Sequence, residues 1–561
     1  MKKRINPFDN IKPGMPGLPA ASAKPVLPGM DLPVWPPLPD NHDDLDDSLD
    51  DMSDEDINTL LDEIIVTEKD WTNTHPNMIK CGSDKFYARF ANSLQMLLVM
   101  ECRLPDEVSY DVYKEVSLTI AAYLEDFVSG FGVWNAIRSI YRKTYGRQLP
   151  FFDCEYSDYF DDDINIEDVK FLVWQTFCRI GHTYETVYSP GSMAVERFAQ
   201  IAYDELVEAV DKAPEAKRVD DYIRKVLRKG DFFEVRDIAK WLVCFNKLTS
   251  APYVFEDMLA EAENIANSTS GKLQNVDMGV FFYNVTCTRS LQPYSGPLGC
   301  HPSVYIAEMC RQRGLEDLAC RLDRLDVIPF SDFEVKEIKG GHVILKAPDG
   351  VEYNVVKNSF SPGMDFKFAK TILASIVRFG EEWYQNGLCT ASGEVIDKED
   401  GLREMTYNST KMLEHVRKRI EVFGGRKVFY CAGLRAVSEI TGLKYSQKKD
   451  DGNEIESNDP VVLFLSETDG MVVLRDYTEC FKDKANPYYD KKVAEDRSLA
   501  LITNCTIPDD VAVYIADNKL LPDASMAASQ GKRYGKKIVQ DNLRFLCGFF
   551  RTPDPAPEYE D

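Results

Sequence analysis

The sequence has no run of about 18 apolar residues, the length a membrane-spanning helix needs. Its densest apolar stretches, Met96 to Met100 and Phe171 to Trp174, are far shorter, so a soluble chain is expected. No CxxC pair occurs among the 14 cysteines, which are scattered singly from Cys81 to Cys547. That spacing argues against a zinc ribbon, a dithiol redox pair and a disulfide framework, and predicts reduced thiols in a cytoplasmic protein. No apolar segment follows Lys2, Lys3 and Arg4, because Pro7, Pro13, Pro16 and Pro19 interrupt it; a secretory signal is not expected. Histidine is scarce, with His42, His75, His182, His301, His342 and His415 the full set, and none lies in HExxH. GxSxG and GxGxxG are also missing. Gly531 to Lys537 imitates a phosphate loop but has three residues between its glycines and no Ser or Thr after the lysine, so it is not a Walker A motif. Positive charge is outnumbered, 66 Lys plus Arg against 92 Asp plus Glu, for a net charge of -26. This disfavours general coating of nucleic acid or of an anionic membrane.

What is present points to a large folded body. The 561 residues, 44% hydrophobic and 11% aromatic, suffice for an extensive core, and their number predicts three or four domains. Residues 1–52 read as a disordered Pro-rich and acidic arm: ten of the 29 prolines fall before residue 40, in overlapping PxxP spacings. From Asp40 to Glu63 there are twelve acidic residues and no Lys or Arg. Ile57, Leu60, Leu61, Ile64 and Ile65 recur at helical spacing, which predicts an amphipathic helix over 53–66.

Helical periodicity dominates 70–327, with helices expected at Asp84–Glu101, Tyr110–Phe127, Val133–Tyr145, Ile166–Tyr184, Met193–Asp211, Val219–Arg228, Glu234–Asn246, Phe255–Ala266, Pro302–Arg313 and Leu315–Leu325. The fourth is apolar on nearly every face except at Lys170 and belongs at the centre of this all-α domain. Over 330–392, Phe333–Ile338, His342–Lys346, Tyr353–Lys357, Thr371–Val377 and Trp383–Asn386 are short β-rich runs punctuated by glycine turns, the pattern of a small SH3-like or OB-like barrel. A C-terminal α+β unit over 402–552 begins with a helix from Leu402 to Phe423. It continues with a hairpin of Pro460–Ser466 and Met471–Asp476, a strand at Ser498–Asn504, and helices at Pro508–Lys519 and Tyr534–Phe549. A disordered tail, 553–561, ends a multidomain α+β chain.

Few constellations suggest chemistry. Cys287, Cys300, His301, Cys310 and Cys320 lack the short paired gaps of a zinc module, so no metal is expected. His182, beside Arg179 at a helix end, suits a cation facing the C-terminal dipole better than an acid–base role. Asp153 to Asp168 is crowded with carboxylates, but Asn165 reads as an N-cap, with Glu167 and Asp168 in the first helical turn. Lys532, Arg533, Lys536, Lys537, Arg544 and Arg551 form a candidate anion-binding surface on the last helix, and Lys411 to Lys427 supply a second group of cations. In the arm, Pro33, Trp35, Pro36 and Leu38 have the format of a docking peptide for an aromatic-lined groove.

The sequence therefore predicts a non-catalytic interaction or scaffold protein, without a cofactor, that engages a protein partner through its N-terminal arm. The alternative is a protein acting on phosphate or nucleic acid, with metal-dependent catalysis, through the C-terminal basic surface. Trp383 and Tyr384 would serve a nucleic-acid binder as stacking platforms, although both are simpler as parts of a barrel strand.

Overall fold

A computed structural model describes residues 65–550, apart from 103, 105–110, 150–158, 181–188, 251–253, 269–277, 293–294, 349, 362–363, 394–401, 444–446, 449–453, 456–458, 505–506 and 527–530. The arm with Pro33, Trp35, Pro36 and Leu38, nearly all of the 53–66 helix, His182, Arg551 and the tail lie outside the described residues.

The fold is mixed α+β. Twelve helices come first among the described residues: α1 Glu68–Asn73, α2 Asp84–Glu101, α3 Asp111–Ser129, α4 Val133–Tyr145, α5 Ile166–Ile180, α6 Met193–Ala209, α7 Lys217–Lys229, α8 Phe232–Cys244, α9 Val254–Ser268, α10 Met278–Arg289, α11 Pro302–Gln312 and α12 Glu316–Asp323. Local chemistry sets several starts. Ser192 accepts from the Val195 amide at the head of α6, and Asp231 accepts from Phe233 and Glu234 at the head of α8. Asn165, expected to cap α5, instead bonds both the amide and the carbonyl of Phe160 and so closes the preceding loop. The sequence reading also missed α10, whose Val280, Phe281, Phe282, Tyr283 and Val285 have strand-like composition. Its contacts with α8, α9 and the neighbouring strand override that preference.

Five strands follow: β1 Asp326–Lys339, β2 His342–Lys346, β3 Glu352–Val356, β4 Thr371–Phe379 and β5 Glu382–Ser392. They pair in the order β1-β2-β3-β5-β4, and β1 also pairs with β4. The circuit is closed by a single parallel pair, Val355 with Trp383. Phe333, Val343, Leu345, Val355, Ile372, Ala374 and Ile376 fill its interior, and Trp383 packs partly buried against them. Beyond it come α13 Leu402–Val422, β6 Val428–Cys431, α14 Leu434–Thr441, the short pair β7 Gln447–Lys448 and β8 Glu454–Ile455, β9 Val461–Ser466, β10 Gly470–Leu474, α15 Lys491–Asn504, α16 Asp509–Asp517 and α17 Lys532–Phe549. β10, β9 and β6 form an antiparallel sheet with β9 buried along its whole length.

One expected strand is a helix. Ser498–Asn504 is the second half of α15, which begins where Asp490 accepts from the Lys492 and Val493 amides. Buried Ala494, Ser498, Leu501 and Ile502 give it a helical period that is hidden in a window opening at Ser498.

The core is centred on α5, where Val169, Phe171, Leu172, Val173, Trp174 and Phe177 are fully buried. Against it lies the last helix: Phe549 stacks on Trp174 with ring centroids 4.6 Å apart, and Phe545 meets Tyr141 edge-on at 5.3 Å. Gly299 sits at φ +57°, where a Cβ would strike the carbonyl oxygen of Gly548. One apolar cluster has members from Val66 to Phe549, among them Val462, Phe464 and Phe545, while the interior of the five-stranded sheet forms a separate one. No single helix among the described residues is long and apolar enough to cross a membrane.

Candidate functional site

The surface singled out on α17 is largely neutralised by its own neighbours. Lys532 pairs with Glu495 at 2.7 Å, and Lys536 sits between Glu495 at 3.2 Å and Asp523 at 3.0 Å. Lys537 lies 3.7 Å from Asp541 one turn on, and the Arg544 guanidinium covers the Tyr145 ring. Arg533 is exposed. Burial pulls the Lys536 pKa down, but its two carboxylates outweigh that and hold it above the ordinary lysine value. Lys532, Lys536 and Lys537 thus each carry a bound counter-charge that an incoming anion must displace.

A different basic surface is better formed. α7, KRVDDYIRKVLRK, has six cationic and two acidic residues. Val219, Ile223, Val226 and Leu227 bury its apolar stripe, which leaves Arg224, Lys225 and Arg228 on the exposed side. Lys225 and Arg228 have no ion pair among the described residues, whereas Arg224 pairs with Asp220 at 2.6 Å. The end of α7 borders a cleft of about 400 Å3 walled by Arg224, Arg228, Gln312 and Arg313 and floored by Gly130 and Gly132.

The cleft is built by helix ends. Asp126 at the close of α3 accepts from the Val133 and Trp134 amides at 3.0 Å each, which caps α4. Gly132 adopts φ +79°, and a Cβ there would lie 3.1 Å from Gln312 Oε1 and 3.2 Å from Arg313 Nη1. Arg313 donates to the carbonyls of Met309, Gly130 and Phe131, which fixes its guanidinium across the floor. Burial lowers its pKa, Asp126 opposes the change, and the charge of Arg224 lowers it further. Two guanidinium groups that repel across a concavity create a field suited to an anion.

The third assembly is buried at the root of the arm. A Thr67–Asp70 capping box starts α1, and the backbone of Val66 is held at both N–H and C=O by the Asn92 amide, at 2.8 and 2.9 Å. His75 is held at Nδ1 by the Ile79 carbonyl, 2.8 Å away, and at Nε2 by Glu125, 3.0 Å away. Asp84 accepts from the Cys81 amide at 3.0 Å and from the Thr72 hydroxyl at 2.6 Å. Between His75 and Cys81 the chain makes a tight reversal, with Asn77 and Met78 both at φ 52°. Burial pushes the His75 pKa down, but the charge and hydrogen bond of Glu125 more than offset this, and the result lies above the ordinary value. Burial likewise raises the Cys81 thiol, against the opposing amides of Val219 and Arg218 at the start of α7.

His75, Cys81 and Asp84 bring one potential metal-ligand atom each within 4.8 Å of one another. A cation there would have to take His75 from Ile79 or Glu125, so the cluster is satisfied as a tie between α1, α2, α3 and α7. Sequence reading missed it because Glu125 lies 50 residues from His75. The basic face of α7 was legible in Lys217-Arg218, Arg224-Lys225 and Arg228-Lys229 but was passed over for the denser C-terminal group.

The remaining sequence candidates fall elsewhere. Asp168, read as a first-turn acid, is fully buried and accepts from Trp134, Tyr159 and Tyr123 beside Arg138. Burial pushes its pKa up to about 6 against the opposing Arg138 charge. Cys287 and Cys310 are buried while Cys320 is exposed, and all twelve described cysteines are free thiols. A second cavity, about 480 Å3, lies between α9, α10, α11 and the start of β1; Asp257, Glu261, Asp326, Arg289 and His301 line it with aliphatic side chains, and Glu261 pairs with Arg289 at 3.3 Å.

The sequence profile of a family described as "Protein of unknown function (DUF3843)" matches residues 65–285 and 392–551. The chain belongs to this family. No curated protein and no solved structure matches it. The matched segments include Gly130, Gly132, Arg224 and Arg228 of the cleft, the His75–Glu125 assembly and α17, while Gln312, Arg313 and the closed five-stranded sheet fall between them.

Proposed function

We propose that this chain is an interaction protein that holds a carboxylate-rich segment of a protein partner in the arginine-walled cleft at the end of α7. One observation carries the reading: Arg224, Arg228 and Arg313 converge on a cleft of about 400 Å3 in a chain whose net charge is -26. The overall charge repels any extended polyanion at long range, so a short carboxylate-bearing segment, held by bidentate guanidinium–carboxylate contacts inside the cleft, suits the site better than a long polyphosphate. In the same reading the arm docks a partner groove through Pro33, Trp35, Pro36 and Leu38, and the closed sheet is an SH3-like or OB-like barrel. A cytoplasmic location belongs to it too, supported by the free thiols.

The test is fluorescence anisotropy of a labelled ten-residue polyglutamate peptide with the full chain. Saturable binding that weakens with salt and disappears in the Arg224→Glu, Arg228→Glu double variant is expected, while Lys532→Glu leaves it intact. Binding unchanged in the double variant, with its fold verified by circular dichroism, refutes the cleft.

A further inference from the structure

Resting on the reading of the cleft as a carboxylate site, we infer that its resident occupant is the chain's own acidic stretch, Asp40 to Glu63, which folds back along α7 and restricts the cleft to partners able to displace it. Charge complementarity is the first argument. The stretch has twelve acidic residues and no Lys or Arg, and α7 displays Lys225 and Arg228 with no carboxylate paired to them among the described residues. The C-terminal helix is a poorer host, because Glu495, Asp523 and Asp541 already pair with Lys532, Lys536 and Lys537.

Tether geometry is the second argument. The described chain begins at residue 65, and Val66 is fastened to Asn92 by two hydrogen bonds. The segment that follows leads directly to α7: Asn77 donates to the Tyr222 hydroxyl at 2.6 Å, and Arg218 donates to the Lys80 carbonyl at 2.7 Å. Even fully extended, the eleven residues from Val66 to Asn77 span at most about 38 Å, and Arg228 lies about 16 Å along α7 from Lys217, whereas 24 extended residues reach about 80 Å. The helix it would cover thus lies within the reach of the arm from its root at Val66. A tether of this kind gives an effective concentration on the order of 1 mM. An occupant whose own dissociation constant is about a tenth of that effective concentration weakens a competing peptide on the order of tenfold.

The experiment uses the full chain in two forms, native and with Asp43, Asp44, Asp46, Asp47, Asp50 and Asp51 changed to Asn. Carbodiimide treatment joins contacting amines and carboxylates, and mass spectrometry maps the products. The native chain is expected to link Lys225 to residues 40–63 at low salt, and to lose that link at high salt and in the Arg224→Glu, Arg228→Glu variant. The Lys532–Glu495 pair serves as the reactivity control. The neutralised chain is expected to bind the polyglutamate peptide about tenfold more tightly than the native one. Absence of the Lys225 link while the control link forms overturns the inference, as does a link of equal yield at Lys367, an exposed lysine outside α7. Equal peptide binding by both forms refutes the fold-back and leaves the cleft standing; no peptide binding by either form refutes the cleft and the fold-back together.

Discussion

Glu125→Gln removes one charge from the buried pair at the arm's root while keeping its shape. His75 and Glu125 are 2% and 4% exposed, with Nε2 and Oε2 3.0 Å apart. Stripping the partner from a buried ion costs about 3–5 kcal/mol. Histidine limits that cost because it can give up its proton, at about 1.4 kcal/mol per pKa unit of displacement. The loss expected at pH 5.5 is therefore about 2–4 kcal/mol. The sign with pH follows from the direction of the shift. His75 is raised above its ordinary value, so its pairing stabilises the fold fully below about pH 6.5 and the contribution fades as pH rises through the folded-state pKa. In the variant burial, which favours the neutral ring, is opposed only by the Ile79 carbonyl and the charge of Asp84. The gap between the two proteins must then be widest at pH 5.5 and shrink toward pH 8.5. Urea midpoints at four pH values, with m compared between the proteins, measure it, and a histidine-selective NMR titration reports His75 directly. A gap that stays constant across this range, or one under about 0.5 kcal/mol at pH 5.5, refutes the account.

Other perturbations test other parts of the fold. Phe549→Ala removes the ring stacked on Trp174 and should cost about 3–5 kcal/mol, lowering the melting temperature of the helical body and not only that of the C-terminal segment; an unchanged Trp174 fluorescence transition contradicts the shared core. Asp168→Asn deprives Arg138 of its buried counter-ion, leaving the exposed Asp161 carboxylate 3.7 Å away, and should destabilise by about 3 kcal/mol by denaturant titration; a loss below about 1 kcal/mol shows that Asp161 and the Tyr159 hydroxyl suffice for it. Gly299→Ala must move the loop away from Gly548 and should cost at least about 1 kcal/mol, whereas a neutral outcome means the loop shifts freely.

Elements whose periodicity fills a full window were legible in the sequence. Asp84–Glu101 and Val133–Tyr145 agree with the structure residue for residue, and His342–Lys346 with its neighbours followed from glycine turns and β-rich runs. Readings failed where packing outweighed local preference. The aromatic, β-branched run of α10 is helical because it is clasped by α8, α9 and β5. Polar groups were hardest to place. Glu125 and Asp168 look like surface acids in a helical pattern, but their partners His75 and Arg138 lie 50 and 30 residues away, beyond any local window. The cleft escaped for the same reason: Gly132, Arg228 and Arg313 come from three separate stretches, and only the helix ends bring them together.

The position of α17 also bears on how the chain can be made. Trp174 and Phe549 are stacked partners, and 375 residues separate them in sequence. At about 5–20 residues per second, a ribosome takes roughly 20–75 s to travel from one to the other. Throughout that interval the α5 aromatic surface is synthesised but lacks its cover. The nascent helical body must therefore emerge from the ribosome with an open apolar seam along α5, and the seam seals only once α17 has emerged to cover it.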